Sequence, residues 1–395
     1  MHGQSLNFLF PNDIHIMWSL MIVLYPYITG LVAGAFIVGS LYHVFGRTEL
    51  KPVSRLAMVA SLSFLLVATL PLLCHLGHPE RALNIVITPH FTSAMSAFGL
   101  IYAMYLILVV LEIWLLFRRE IVELAARSRG LKRGLLKAAA LGVYDISEDA
   151  RKVDHRVVTV LAALGIPAAC ILHGYVGFMF GSVKANAFWS TPLMPIIFLF
   201  SAVTSGIAMI IILYETLSAV NGRKISGACL QSLAGYLWLF ATVTVTLEIL
   251  EIVSLSYAQD EEWLIVGPLI RDKIAFSFIG IQMVFGSLIP FILLGIVVTL
   301  KRYLTAGMRN VITFIAALIL LIQVFSMRWN VVIGGQIFSK SGIGFRENYV
   351  PELGTREGVA MALLIFLIPF LIMGAFNRVL PLAVEGGDDT SGGHA

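Results

Sequence analysis

The feature that most constrains this chain is a series of apolar runs, each long enough to cross a bilayer as a helix. A spanning helix needs about 20 apolar residues, because the hydrocarbon core is about 30 Å thick. The sequence contains nine such runs, at residues 18–44, 55–75, 94–117, 157–180, 192–217, 229–256, 273–299, 310–327 and 358–380. They are continuously apolar and do not alternate with polar residues, which excludes a membrane β-barrel. We therefore predict an all-α, polytopic membrane protein with about nine transmembrane helices.

The composition excludes a soluble fold. Of the 395 residues, 58% are hydrophobic and 13% are charged, whereas about 25% of the residues in a soluble domain are charged. The net charge of +4 is small for this length, so it does not indicate a nucleic-acid surface. The three cysteines, Cys74, Cys170 and Cys229, stand alone in apolar runs and lack the spacing of zinc or iron–sulfur ligands.

Lys and Arg residues predict the orientation, because they collect on the cytoplasmic side of membrane proteins. If residue 1 lies outside, most of the 27 Lys and Arg residues fall in segments that face the cytoplasm. We predict a multi-pass protein of the cytoplasmic (inner) membrane, with its N-terminus outside and its C-terminus inside. The first run has no basic stretch before it, so we expect it to stay in the mature protein.

Two polar segments follow from this topology. The cytoplasmic segment 118–156 is basic and partly amphipathic, and we expect it to lie along the anionic lipids of the inner leaflet. The tail, 381–395, is rich in glycine and acidic residues, so we expect it to be disordered and to carry no chemistry.

Ionisable groups inside membrane spans are costly and by default mark a site or a pathway. Several share one level near the outer ends of different runs, and these are His75 and Arg81, His173, Glu248 and Glu251, and Arg328. Fewer lie near the inner side, namely His43, Glu112 and Glu215. A purely structural interpretation also exists, in which the histidines are interfacial and the glutamates pair with Arg271 or Arg328. Taken together, imidazole, carboxylate and guanidinium groups beside hydrocarbon suit a quinone head group, which exchanges electrons and protons.

Three other functions compete with a quinone site. His75 and His173 on different helices could hold one b-type haem, but each stands alone in its run, and we expect no haem or iron–sulfur cluster in this chain. A secondary transporter would place its polar groups at the midplane of inverted halves, whereas here they lie at one face. A purely structural anchor would not need the costly glutamates of the sixth run.

The residues also resemble a known family. His75-Leu-Gly-His78-Pro-Glu80-Arg81, followed by Pro89-His90-Phe-Thr-Ser93, is similar to the loop after the second span of NrfD/PsrC proteins, the membrane subunits of polysulfide reductase-like complexes. The His173 helix, the Ile212-Leu-Tyr-Glu215 stretch and the Arg328-Trp-Asn-Val-Val-Ile-Gly-Gly-Gln336 stretch match the same pattern. The last stretch most resembles the DsrP-type subunit of dissimilatory sulfite-reduction (DsrMKJOP-like) complexes.

The resemblance implies an architecture of two four-helix bundles. The first would comprise residues 1–180 and the second 181–327, followed by an outer loop at 328–357 and an added ninth helix at 358–380. It also implies a quinone site at the outer face, beneath a docked periplasmic ferredoxin-like iron–sulfur subunit. Further cytochrome and iron–sulfur membrane subunits are expected in the complex, and no nucleic acid.

From these features we expect a subunit that oxidises menaquinol, or reduces menaquinone, at the outer face, with a link to sulfur or sulfite metabolism. His173 and His75 would bond the quinone oxygens, Glu248 or Glu251 would relay protons, and Arg328 would orient the carboxylate or head group. Additional quinone contacts are expected from Tyr175 and Arg81. A proton path from the inner side would use Glu112 and Glu215.

Overall fold

A computed structural model of the chain describes residues 15–90, 92–339, 344–380 and 382. The tail predicted to be disordered, 381–395, lies outside the described residues except for Leu382.

The described part of the chain folds into nine helices long and apolar enough to cross a membrane, which confirms the prediction of an all-α polytopic protein. They are α1 (Leu20–Phe45), α2 (Thr48–His75), α3 (Ala94–Arg127), α4 (Glu148–Gly181), α5 (Met194–Val220), α6 (Gly227–Ala258), α7 (Phe276–Thr299), α8 (Ala306–Ile337) and α9 (Val359–Val379). Two shorter helices, Gly130–Ala139 and Glu261–Pro268, lie in the connections.

Side chains of serine and threonine set where several helices begin. Ser19, Ser93, Ser147, Ser226 and Thr305 each accept a hydrogen bond from a backbone N–H in the first turn of the helix that follows. This satisfies one of the N–H groups that lack a partner within the helix.

Three helices extend beyond the apolar runs that predict them. α3 continues to Arg127 and α4 begins at Glu148, because a helix can continue into water once its side chains become polar. α8 continues to Ile337 through a π-helical turn at Asn330–Gly334. The start of the segment expected to be an outer loop, 328–357, is therefore helical and buried.

The helices pack as two groups that meet along α1 and α5. α1 contacts α2, α4 and α5, and α5 contacts α4, α6 and α8. α3 packs on α4, α7 packs on α8, and α9 lies outside against α2 and α1. The most apolar stretch of α1 is 94% buried inside the protein, whereas that of α6 is only 17% buried. α1 is therefore a central helix, and α6 faces lipid.

Small residues allow α1 and α5 to approach each other closely. A Cβ atom on Gly34 of α1 would lie 2.7 Å from the Cα atom of Gly206 on α5, and a Cβ on Gly206 would overlap the backbone of Gly34. Helices in membranes associate through such close backbone packing, because lipid supplies no hydrophobic drive between them. Glycine is therefore required at both positions for this helix pair.

We expect Gly34→Ala to destabilise the protein by about 1–3 kcal/mol, the usual cost of overpacking a close-packed core. The measurement is the unfolding transition of the purified protein in detergent. Gly235→Ala on α6 is the matched control, because nothing lies within 4 Å of a Cβ atom built there. Equal stability of both variants would contradict a tight contact between α1 and α5.

Candidate functional site

A fully buried arginine lies where the two groups of helices meet. Arg328 of α8 is 0% exposed. Its Nη2 atom donates to Ser201 Oγ on α5 at 2.7 Å and to the Phe198 carbonyl oxygen at 3.3 Å. The guanidinium carbon lies 3.7 Å from the centroid of the Phe198 ring. The charge is thus held by hydrogen bonds and by an aromatic face, as a buried cation requires.

The same guanidinium contacts His173 of α4, with Nη2 and Nε2 3.0 Å apart. Arginine can only donate a hydrogen bond, so Nε2 of His173 is the acceptor and the ring proton lies on Nδ1. That Nδ1 atom is buried, and no hydrogen-bond partner for it exists among the described residues. Residues from α4, α5 and α8 are therefore joined at one buried point.

The predicted carboxylate of α6 belongs to a second buried cluster. Glu248 accepts from Gln282 Nε2 of α7 at 2.9 Å and from Gln323 Nε2 of α8 at 3.3 Å. Gln282 Oε1 in turn accepts from Asn330 Nδ2 at 2.8 Å, and Ser277 Oγ donates to Asn330 Oδ1 at 2.6 Å. One chain of hydrogen bonds therefore links α6, α7 and α8.

This cluster forms one side of a narrow cleft that is partly open to the surroundings. Glu248, Glu251, Gln282 and Asn330 supply its polar wall. The other lining residues are apolar: Phe188, Met194, Ile197, Ile252, Leu255, Phe278, Met327 and Val331. Oε1 of Glu251 is buried without a hydrogen-bond partner among the described residues. An unsatisfied carboxylate oxygen at an apolar cleft is a free acceptor for a polar ligand.

Two π-helical segments border this cleft. Phe276–Leu288 of α7 carries Phe278 and Gln282, and Asn330–Gly334 of α8 carries Asn330 and Val331. π-Helical turns are rare and are found frequently at functional sites.

Met327 connects the two clusters. Its side chain lines the cleft, and its sulfur accepts from Arg328 Nη1 at 3.2 Å. The His173–Arg328 pair therefore lies directly behind the cleft wall. The structure brings together four of the predicted residues, His173, Arg328, Glu248 and Glu251, in two neighbouring clusters.

His75 lies in a different place. Its Nδ1 atom is 2.7 Å from Oε2 of Glu357, a residue of the segment that precedes α9. Arg356 of the same segment donates to the carbonyl oxygen of Leu76 at 3.2 Å. His75 thus joins the C-terminal end of α2 to the segment 344–358, and it shares no hydrogen bond with His173.

The remaining predicted residues lie outside both clusters. Tyr175 donates to the carbonyl oxygen of Ala94 at 3.1 Å, and Arg81 is exposed in the loop after α2. Glu112 of α3 is fully buried, and neither of its carboxylate oxygens has a hydrogen-bond partner among the described residues. Glu215 is buried near the C-terminal end of α5. Its Oε1 atom also has no hydrogen-bond partner among the described residues.

The interpretation of the sequence missed the uncharged members of the site. Gln282, Gln323, Ser277 and Ser201 all take part in the hydrogen bonds above but received no role. A signal was present, because an amide in the middle of an apolar run also needs a partner.

The histidines do not face each other as two haem ligands would, since His173 binds Arg328 and His75 binds Glu357. Within the ranges that the structure describes, no group of three or more His, Cys, Asp or Glu side chains is arranged to hold a metal ion.

Comparison with known proteins gives a consistent set of relatives. The family model described as "Polysulphide reductase, NrfD" matches residues 11–340. A selenate reductase subunit of Mesobacillus selenatarsenatis is 34% identical over 241 residues, which are 59% of this chain and 56% of that protein. Protein NrfD of Escherichia coli is 25% identical over 201 residues, 50% of this chain and 59% of that protein.

A third relative matches over most of the chain. The Hdr-like menaquinol oxidoreductase integral membrane subunit of Archaeoglobus fulgidus is 25% identical over 370 residues, 90% of this chain and 79% of that protein. By contrast, the chain spans little more than half the length of the selenate reductase and NrfD relatives.

The contact between His75 and Glu357 gives the segment 344–358 a carboxylate whose ionised form is stabilised in the fold. Partial burial alone would raise the pKa of Glu357, but hydrogen bonds from Ser19 and His75 outweigh it and leave this pKa below its usual value. A lowered pKa in the folded protein stabilises the ionised form, so this stabilisation is present above the pKa of the unfolded chain. It is lost as the pH falls through the folded pKa.

We therefore expect the segment 344–358 to loosen at acid pH, below the ordinary range for a glutamate. Hydrogen exchange of its backbone amides as a function of pH measures this. Glu357→Gln should show fast exchange at neutral pH with little further change in acid. Glu347→Gln is the control, because the Glu347 side chain is exposed and its carboxylate lies 3.5 Å from the likewise exposed His15. Exchange that is independent of pH in the unaltered protein would contradict the assignment.

Proposed function

Because this chain belongs to the polysulphide reductase NrfD family of membrane subunits, we propose that it binds a membrane quinol in the cleft between α5, α6, α7 and α8. In this proposal it exchanges electrons with a partner subunit of an oxidoreductase complex.

The observation that carries the proposal is the pair of carboxylates in a largely apolar cleft at membrane depth. Glu248 lies ten residues before the end of α6 at Ala258, which corresponds to about 15 Å of helix. Ionisable groups at this depth mark functional sites. A quinone ring is apolar with polar oxygens, and it requires both an apolar slot and a few convergent polar groups.

Quinol oxidation releases two electrons and two protons, and the residues of the cleft supply the proton acceptors. Oε1 of Glu251 has no hydrogen-bond partner in the part of the chain that the structure describes, and it is the first acceptor in this proposal. Glu248 is one helical turn further from the outer end, so both carboxylates lie on the same face of α6. Gln282 and Gln323 hold Glu248 in a fixed orientation.

His173 and Arg328 act as positioning residues in this proposal. Their contact fixes α4, α5 and α8 behind the cleft wall, and Arg328 places Met327 at the cleft surface. His75, Tyr175 and Arg81 lie outside the cleft lining, so a direct contact of these residues with the quinone has no support from the geometry.

The finer features of the proposal come from the relatives and the sequence. The name of the Archaeoglobus fulgidus relative, a menaquinol oxidoreductase subunit, supports menaquinol as the substrate. A periplasmic ferredoxin-like iron–sulfur partner is proposed from the resemblance to NrfD/PsrC proteins. A role in sulfur metabolism is proposed from the resemblance of the Arg328–Gln336 stretch to DsrP-type subunits.

We expect Glu251→Gln to lower quinol-dependent electron transfer of the assembled complex by about 10²–10⁴-fold, the usual contribution of a positioned acid or base. The measurement is the turnover of a soluble quinol analogue. Glu261→Gln is the matched control, since Glu261 is exposed in the short helix after α6. Normal turnover of Glu251→Gln with intact assembly would overturn the proposed site.

A second candidate function, proton conduction from the inner side, is favoured by polar groups between α5 and α6. Thr204 and Thr244 share a hydrogen bond of 3.2 Å one helical turn below Glu248. Further inward, Glu215 and Thr313 each have a buried oxygen without a hydrogen-bond partner among the described residues. Such unsatisfied buried groups are typical positions of internal water molecules. Glu112 lies on α3 in the other group of helices, away from this interface.

If this path carries protons, Thr244→Val should lower the number of protons translocated per electron in liposomes while quinol oxidation continues. Thr242→Val is the matched control, because the Thr242 hydroxyl donates to the Trp238 carbonyl oxygen of its own helix. An unchanged proton-to-electron ratio in Thr244→Val would exclude this path.

A further inference from the structure

The short helix Gly130–Ala139 presents an apolar stripe that nothing in the described chain covers. It follows α3 and folds back along it, and Trp114 Nε1 of α3 donates to the carbonyl oxygen of Ala139 at 2.8 Å. Leu136 and Ala140 face the protein. Leu131 and Leu135 point the other way and are 81% and 63% exposed.

Five unpaired cations accompany this stripe. Residues 127–137 contain five basic side chains and no acidic one. All five are exposed, and none forms an ion pair within the described chain: Arg127, Arg129, Lys132, Arg133 and Lys137. The nearby cations of α4 differ, since Arg151 pairs with Glu148 and Lys152 pairs with Asp149.

The position of the helix relative to the bilayer follows from α9. α9 has 21 residues, which is just enough to cross the hydrocarbon core. Phe376 lies three residues before its end and packs against Phe117 of α3, with ring centroids 5.1 Å apart. The edge of the hydrocarbon therefore lies about one helical turn beyond Phe117.

Trp114 is three residues before Phe117, so the end of the short helix that it binds lies at hydrocarbon depth. Leu141 and Val143 follow directly and are also exposed. The beginning of the helix, with Lys132 and Arg133, then reaches the level of the lipid head groups.

We propose that the Gly130–Ala139 helix is a binding site for anionic phospholipid at the membrane surface. Its leucine stripe enters the acyl boundary, and its Lys and Arg side chains extend to the lipid phosphates. A protein in the cytosol could contact the leucine stripe only if the stripe lay outside the lipid head groups. Leu135 instead lies at the edge of the hydrocarbon, where lipid is the neighbour. Each basic side chain near an anionic surface strengthens binding by about 1 kcal/mol, or about fivefold.

The test uses the full chain in nanodiscs, with a spin label on Leu135→Cys and the three native cysteines replaced. One set of nanodiscs contains phosphatidylcholine alone, and the other contains phosphatidylcholine mixed with phosphatidylglycerol. We expect the label to become at least fivefold less accessible to a water-soluble nickel chelate when phosphatidylglycerol is present. The substitutions K132Q, R133Q and K137Q together should abolish this difference.

The double variant R151Q and K152Q is the matched control, because those two cations already have acidic partners, and it should retain the full effect. Equal accessibility of the label in both kinds of nanodisc would overturn the proposal. Protection that arises only when partner subunits are added, whatever the lipid, would also overturn it and identify a protein-docking surface instead.

Discussion

The contact of Gly34 with Gly206 determines how the two groups of helices meet, and the buried polar residues depend on it. A side chain at either position would force α1 and α5 apart. Gly30, one turn away on α1, leaves room for the ring of His173, whose Cε1 atom would lie 3.3 Å from a Cβ at that position. The same approach brings Ser201 and Phe198 of α5 within reach of Arg328. The polar contacts therefore depend on the close packing of the α1 and α5 backbones.

Arg328 is stable in this position only because its contacts replace water. Leaving a buried hydrogen-bonding group without a partner costs about 1–3 kcal/mol, and more for a charged group, so a guanidinium without Ser201, the Phe198 carbonyl oxygen and the Phe198 ring would be a severe defect. The amide network around Glu248 solves a similar problem with neutral donors. Both clusters lie against one cleft, and the cost of burying them is most easily understood if the cleft binds a ligand.

The helical fold could be predicted from the sequence because length and hydrophobicity alone define a membrane span. The ends of α3, α4 and α8 could not, since helices continue past the apolar run when capping and packing allow it. The charged residues His173, Glu248, Glu251 and Arg328 were identified by their cost in lipid, but their pairing was not.

That pairing depends on tertiary contacts between distant parts of the chain. His75 and Glu357 are separated by 282 residues, and His173 and Arg328 by 155, so no local pattern relates them. Gln282 and Gln323 went unnoticed because an amide carries no charge. An amide in hydrocarbon nevertheless also needs hydrogen-bond partners. The positions of these residues in their apolar runs predicted that they lie at one level of the membrane. Only the packing of the helices determines which of them are in contact.

The π-helical stretch of α7 has a consequence for how this helix can change. Each π-type hydrogen bond encloses one more residue than an α-type bond. If the π-helical stretch of α7 became α-helical, the part of the helix on one side of it would rotate by about 100° for each residue displaced. Phe278 and Gln282 would leave the cleft, while the C-terminal part of α7 would stay in place, because Trp238 of α6 donates to its Phe291 carbonyl oxygen at 3.1 Å. Rewinding Phe276–Leu288 would therefore turn one end of this membrane helix relative to the other.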